Sequence, residues 1–237
     1  MVNRALKKMV NEVTAGRPPP DRKPGSGAAG GGKRVLDRLD ASIRACRICR
    51  DAPEGRPLPH DPRPVFRVSP SAIICVAGQA PGVRVHASGV PFSDPSGDRL
   101  RAWMGVDPAT FYDVTRIAIV PMGFCFPGQD GRGADLPPRR ECAPAWRERL
   151  FREMPKVALV LAVGGYAHAW HLGALKRPTL TATVAAWREI VTATADPVVV
   201  PLPHPSWRNN AWLKRNPWFE AELLPFLRRE VAVRLTA

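Results

Sequence analysis

The apolar positions of this chain change their spacing in a regular way. Val35, Leu36, Leu39 and Ile43 recur at helical intervals up to Cys46, which predicts a helix beginning near residue 34. Four short apolar runs follow, over 72–77, 117–121, 157–163 and 197–202. They are continuous and β-branched rather than alternating, as strands covered on both faces must be. Between them the spacing returns to the helical period over 141–154, 181–191 and 217–235. A further helix is opened by Ser96 as an N-cap, runs through Leu100, Trp103 and Met104, and is closed by Gly105. Strands that alternate with helices build a parallel sheet with helices on both sides. The expected fold is therefore α/β, a three-layer αβα sandwich around a central four-stranded parallel sheet, without internal repeats.

Ahead of residue 35 this patterning is absent. Residues 1–34 carry four Pro, six Gly and eight of the chain's 35 Lys and Arg, with almost nothing large and apolar after Val13. Such a stretch buries too little surface to offset its ordering entropy, so 1–34 is expected to be a disordered basic tail and 35–237 the folded domain. The tail is either a non-specific phosphate grip or a solubilising extension.

The whole chain of 237 residues has a formal charge of +14, which points to a polyanionic partner. No apolar run approaches the roughly 18 residues of a membrane span, and the N-terminus lacks a signal-peptide layout. A cytoplasmic monomer with no membrane partner is the expectation. Five cysteines, an odd number without an export signal, argue for free thiols, metal ligands or catalysis rather than a disulfide framework.

In an open parallel sheet the ligand lies beyond the carboxyl ends of the strands, where the loops converge. Those ends read Gly78-Gln79-Ala80-Pro81-Gly82, Met122-Gly123-Phe124-Cys125, Gly164-Gly165 and Pro203-His204-Pro205-Ser206. A lone Gly/Pro turn is ordinary, and a lone histidine is as often structural. Polar groups on rigid turns at one edge of a sheet together predict a site.

The first and last of these turns, taken as a pair, resemble the two signatures of the uracil-DNA glycosylase superfamily, and the similarity runs from about residue 36 to 232. It is nearest to the bacterial iron-sulfur branches. Val90-Pro91-Phe92-Ser93-Asp94-Pro95-Ser96-Gly97-Asp98 is similar to their segment after the first strand, where a Phe stacks on the base. The resemblance places a water-activating carboxylate at Asp94, although Asp-Pro-Ser is also a common helix start. It implies a DNA repair enzyme that hydrolyses the N-glycosidic bond of uracil, or of another deaminated base, in DNA.

Bond cleavage of that kind develops positive charge on the sugar and negative charge on the departing base, so both signs must be pre-positioned. His204 suits the base oxygen, Asp94 suits the sugar and its water, and Gln79 can help to place that water. Gly78, Ala80, Pro81, Gly82, Phe92 and Ser206 complete the expected substrate pocket. Flipping the base costs a few kcal/mol, and stacking on Phe92 returns about 1–3 kcal/mol. Trp207 and Arg208 stand where this superfamily inserts a wedge into the duplex; a Trp207 packed beneath its loop, with Arg208 on a phosphate, is the alternative. Asn209 and Lys214 are further DNA-binding candidates, and Arg215 accompanies them.

Cys46 and Cys49 form a C-x-x-C, with Cys125 and Cys142 later; spacing alone admits zinc, iron-sulfur or unrelated thiols. The resemblance implies a 4Fe-4S cluster on Cys46, Cys49, Cys125 and Cys142, and Cys75 reads as a core residue. Met122-Gly123-Phe124 and the Gly-rich stretch 128–134 depart from the family pattern. His168 and His171 read as surface residues of a helix, with a ligand role as the alternative.

Two further departures bear on specificity. The second strand, Ile117-Ala118-Ile119-Val120-Pro121, lacks the Asn with which relatives often read uracil, which leaves the backbone amides of 122–124 or an altered base preference. Gly82 occupies the position at which the best-known branch has a Tyr against thymine. A non-catalytic DNA binder with the same fold stays open; a nucleotide-handling α/β enzyme is disfavoured, since no strand-to-helix turn carries a dinucleotide or P-loop fingerprint.

Overall fold

A computed structural model describes residues 29–236. In chain order its elements are α1 (Ala29–Arg44), α2 (Ile48–Asp51), β1 (Ile74–Ala77), α3 (Val83–Ser88), α4 (Pro95–Met104), α5 (Pro108–Tyr112), β2 (Ile117–Ile119) and α6 (Cys142–Arg152). There follow β3 (Leu159–Val163), α7 (Gly165–Leu172), α8 (Leu180–Ala185), α9 (Trp187–Ala193), β4 (Val198–Leu202), α10 (Asn210–Arg215) and α11 (Leu224–Thr236). The first helix starts at Ala29, so residues 29–34 are helical rather than part of a disordered tail; the remainder of the expected tail, 1–28, lies outside the described residues. Its buried stripe is Leu36, Leu39 and Ile43, while Val35 turns to water.

The sheet order is β2-β1-β3-β4, and every pairing is parallel. Because successive strand residues face opposite sides, each strand feeds two cores. Ile74 and Val76 with Ile117, Ile119, Leu159 and Leu161 pack on Leu100, Trp103 and Met104 of α4 and on Leu227 and Val231 of α11. Cys75, Ala77, Ala118 and Ala162 face Leu39 and Ile43 of α1 and Trp146 and Leu150 of α6. This second face is built from small side chains. Each fully buried Leu or Ile contributes about 1.5–3 kcal/mol, which is why the strand runs contain no polar residue.

Two expected helices are subdivided. The stretch 181–191 breaks at Ala186 into α8 and α9. Trp187 and Ile190 of α9 thereby serve opposite cores beside β4. The stretch 217–235 begins as a π-helical turn, Phe219–Leu223, before α11. The strand order reverses between β1 and β3: the chain moves outward to β2 and then returns past β1. A crevice opens at such a reversal, beyond the carboxyl ends of the strands. Among the described residues no helix is long and apolar enough to cross a membrane.

Candidate active site

The crevice is a cavity of about 540 Å³, counting its open mouth. Its walls come from the turn after β1 (Gly78, Gln79, Ala80, Pro81, Gly82), from Pro91, Phe92, Asp94 and Ser96, from Ile119 and Pro121 at the end of β2, and from His204 after β4. The sequence-predicted trio Asp94, His204 and Gln79 therefore shares one space. Ser206 lies instead in an outer groove continuous with the first, lined also by Gln79, His204, Arg208 and Asn209.

Asp94, not Ser96, is the N-cap of α4; Pro95, at the first helical position, moves the cap ahead of itself. Its Oδ1 accepts from the Ser96 hydroxyl at 2.5 Å and from the Gly97 N–H at 3.3 Å. Two residues earlier, Phe92 adopts φ +55°, a left-handed conformation that bulky residues rarely take. The strain is held from outside: its carbonyl accepts from Tyr112 Oη at 3.0 Å and Arg101 Nη1 at 3.2 Å. Its ring meets Phe111 edge-on at 6.1 Å and packs over Gly78, where a β-carbon would approach it to 3.2 Å. Asp98 is exposed and ion-paired to Arg101 at 2.6 Å, a structural role.

The second motif is clamped through its backbone. Asn209 Nδ2 donates to the His204 carbonyl at 2.7 Å, and Arg99 Nη1 of α4 donates to the Ser206 carbonyl at 3.0 Å. That leaves the imidazole of His204 without a hydrogen-bond partner among the described residues while it lines the cavity. Burial pushes its pKa below the usual histidine value, and the carboxylates of Asp94 and Asp135 oppose that shift. At neutral pH the ring is therefore a neutral donor. Trp207 is 71% exposed, which removes the alternative of packing beneath its loop. The Arg208 guanidinium lies 5.9 Å from its ring centroid. Lys214 is exposed on α10.

Three expectations change. The backbone N–H groups of Met122 and Gly123 donate to the carbonyls of Gly78 and Gln79 at 2.8 and 2.9 Å, and that of Phe124 to Cys142 Sγ at 3.3 Å. They brace the first motif and have nothing left to read a base. His168 is buried, with Nε2 at 3.0 Å from both the Ala162 and Leu202 carbonyls, and burial lowers its pKa to about 4. His171 is half-buried and contacts Arg147 Nη2 through Nε2 at 2.6 Å. Neither is a surface histidine, because the face of α7 that carries them is turned onto the sheet and α6.

Two residues that the sequence did not single out shape the cavity. Arg147, wholly buried, donates to the carbonyls of Val120 at 2.6 Å and Pro121 at 2.9 Å and so fixes the end of β2. Asp135 lines the cavity from a hairpin over 128–136. Its local signal was the Asp130-Gly131 pair, a common hairpin turn.

Cys46, Cys49, Cys125 and Cys142 line one further cavity of about 250 Å³ together with Phe124 and Trp146. Burial raises the thiol pKa values of Cys49, Cys125 and Cys142, that of Cys125 to about 12, and neighbouring cysteines raise them further. Among the described residues no group of three or more His, Cys, Asp or Glu is arranged to hold a metal ion. Cys75 is a buried core residue of β1.

Residues 66–228 match the family model of the Uracil DNA glycosylase superfamily. That span contains all four strands, both strand-end motifs, Asp94 and His204. The chain belongs to the uracil DNA glycosylase superfamily.

Proposed function

We propose that the protein hydrolyses the N-glycosidic bond of uracil, or of a related deaminated base, flipped out of DNA, and so starts base excision repair. One observation carries this reading: Asp94 and His204, 110 positions apart in the sequence, line the same cavity as the strained Phe92. The Phe92 ring offers a stacking face for the base, and His204 donates a neutral N–H to the base oxygen that gathers charge. Asp94 faces the sugar and favours its cationic transition state, and Gln79 places the attacking water. Trp207, with Arg208 beside it, fills the gap left in the duplex, while Arg208 and Lys214 meet phosphates. Asn209 fixes the His204 backbone and lines the outer groove in which DNA would lie. A cytoplasmic monomer is the working form proposed here.

The four cysteines supply the donor chemistry of a 4Fe-4S cluster, which supports the reading of an iron-sulfur branch. Four thiols line one apolar cavity, and burial opposes the thiolate at Cys49, Cys125 and Cys142, a set that a cationic cluster stabilises. Cys46, Cys49, Cys125 and Cys142 would hold it. Held there, it would cross-link the end of α1, α2, the segment after β2 and the start of α6.

The test is release of free base by purified protein from oligonucleotides carrying uracil, hypoxanthine, xanthine or thymine. Release from at least one deaminated substrate is expected. DNA retention without any base release would instead identify a non-catalytic binder.

A further inference from the structure

The inner cavity and the outer groove share five residues: Gln79, Ala80, Pro81, Asp135 and His204. A flipped nucleotide has its base inside and its phosphates outside, so the bond between base and sugar crosses the shared rim. Asp94 lines only the inner cavity, whereas Asp135 stands at the rim. We infer that Asp135 is a second catalytic carboxylate, the group that takes the proton from the attacking water. This rests on the glycosylase reading above and assigns to Asp135 a step that reading left to Asp94 and Gln79.

The two acids are bound alike, each with Oδ1 engaged and no described donor to Oδ2, so it is their places, one inside and one at the rim, that divide the labour. Oδ1 of Asp94 is committed to the Ser96 hydroxyl and the Gly97 N–H. Oδ1 of Asp135 is held by Gln129 Nε2 at 3.2 Å, and no described residue donates to its Oδ2. That oxygen lies 2.9 Å from the point a β-carbon on Gly82 would occupy, so Asp135 leans against the first motif in space that only glycine leaves open. The hairpin that carries it is braced for the purpose. Gly128 accepts from the Leu136 N–H at 2.9 Å, and Asp130 Oδ1 accepts from the N–H groups of Arg132 and Ala134 at 2.8 and 2.9 Å.

In the proposed step the water oxygen bonds to C1′ of the deoxyribose while the bond from C1′ to the base nitrogen breaks. The electron pair leaves with the base, which departs as an anion held by His204. The proton of the water passes to Oδ2 of Asp135 and is later returned to the base. No further reagent is required.

The experiment is single-turnover cleavage of a uracil-containing duplex by the parent, Asp135→Asn, Asp94→Asn and Gly82→Ala, with affinity measured on an uncleavable duplex. Asp135→Asn is expected to slow cleavage about 100-fold or more, as loss of a general base does, while affinity is held or rises. Gly82→Ala keeps an extended backbone that alanine adopts freely, yet crowds Asp135 aside. It should slow cleavage by about 10-fold or more in the parent, yet change little in an Asp135→Ala background, a coupling that a merely structural role would not produce. If Asp135→Asn cleaves within about threefold of the parent while Asp94→Asn is inactive, the inference is overturned and the glycosylase reading stands. If the parent releases no base from any substrate, both are overturned.

Discussion

The carbonyl oxygen of Phe92 lies 1.8 Å from where a β-carbon on Gly97 would sit, so the strained turn and the first turn of α4 are built into each other. Only glycine at 97 lets the Phe92 carbonyl reach Arg101 and Tyr112, and those two bonds hold φ at +55°. Backbone strain of this kind persists only where surrounding contacts over-determine it.

Gly97→Ala should therefore move the Phe92 turn and lower single-turnover base release by about 100-fold, since a displacement near 1 Å at a reacting centre costs about that much. The hydrophobic cores are untouched, so the variant should still unfold cooperatively. A parent-like rate would show that the Phe92 turn plays no part in catalysis.

The lowered pKa of His204 fixes the direction of the pH dependence. A histidine whose pKa lies below its ordinary value is neutral above pH 6.5 and gains charge only beneath it. The single-turnover rate should be level from pH 6.5 to 8, with any loss confined to the acidic side. A decline on the alkaline side, with a midpoint near 6.5, would mean that the charged imidazole is the working form.

His168 makes a separate statement about stability. Its pKa falls from 6.5 to about 4 on folding, so the unfolded chain binds the proton that the folded chain refuses. Stability should drop as pH falls from about 6.5 and level off below about 4, by on the order of 3 kcal/mol from this residue. Denaturant titrations across that range should show the slope, and His168→Asn should reduce it while His171, whose pKa is lowered to about 3, keeps the remainder.

The cysteine cavity predicts brown protein with iron and labile sulfide near four each per chain, the stoichiometry of such clusters. Cys49→Ala should lose the colour and lower Tm. Colourless parent protein purified without oxygen would remove the cluster from the account.

The strands were legible because a β-sheet covered on both faces leaves no room for polar residues, and the two rigid turns at their ends followed from the same runs. The cap of α4 was misplaced by two residues because Pro95 shifts the cap to the residue before it. His168 and His171 look like surface residues by their spacing on α7, yet that face is covered by the sheet and α6, which periodicity in a short helix does not report. Asp135 was illegible for a different reason. Its hairpin has a local turn signal, but only the packed chain brings its carboxylate against Gly82 and into the cavity. Arg147 likewise reads as one more surface arginine of an amphipathic helix until the end of β2 is seen to lie across it.

The most direct measurement is the single-turnover rate of uracil release from duplex DNA for the parent, Asp94→Asn and His204→Ala, each checked for an intact fold. Loss of one charge-stabilising donor costs about 100- to 1,000-fold in comparable sites, and loss of the carboxylate a similar amount. Both variants should fall by that much while still binding DNA. Parent-like rates in both would contradict the claim that these two groups flank the reacting bond.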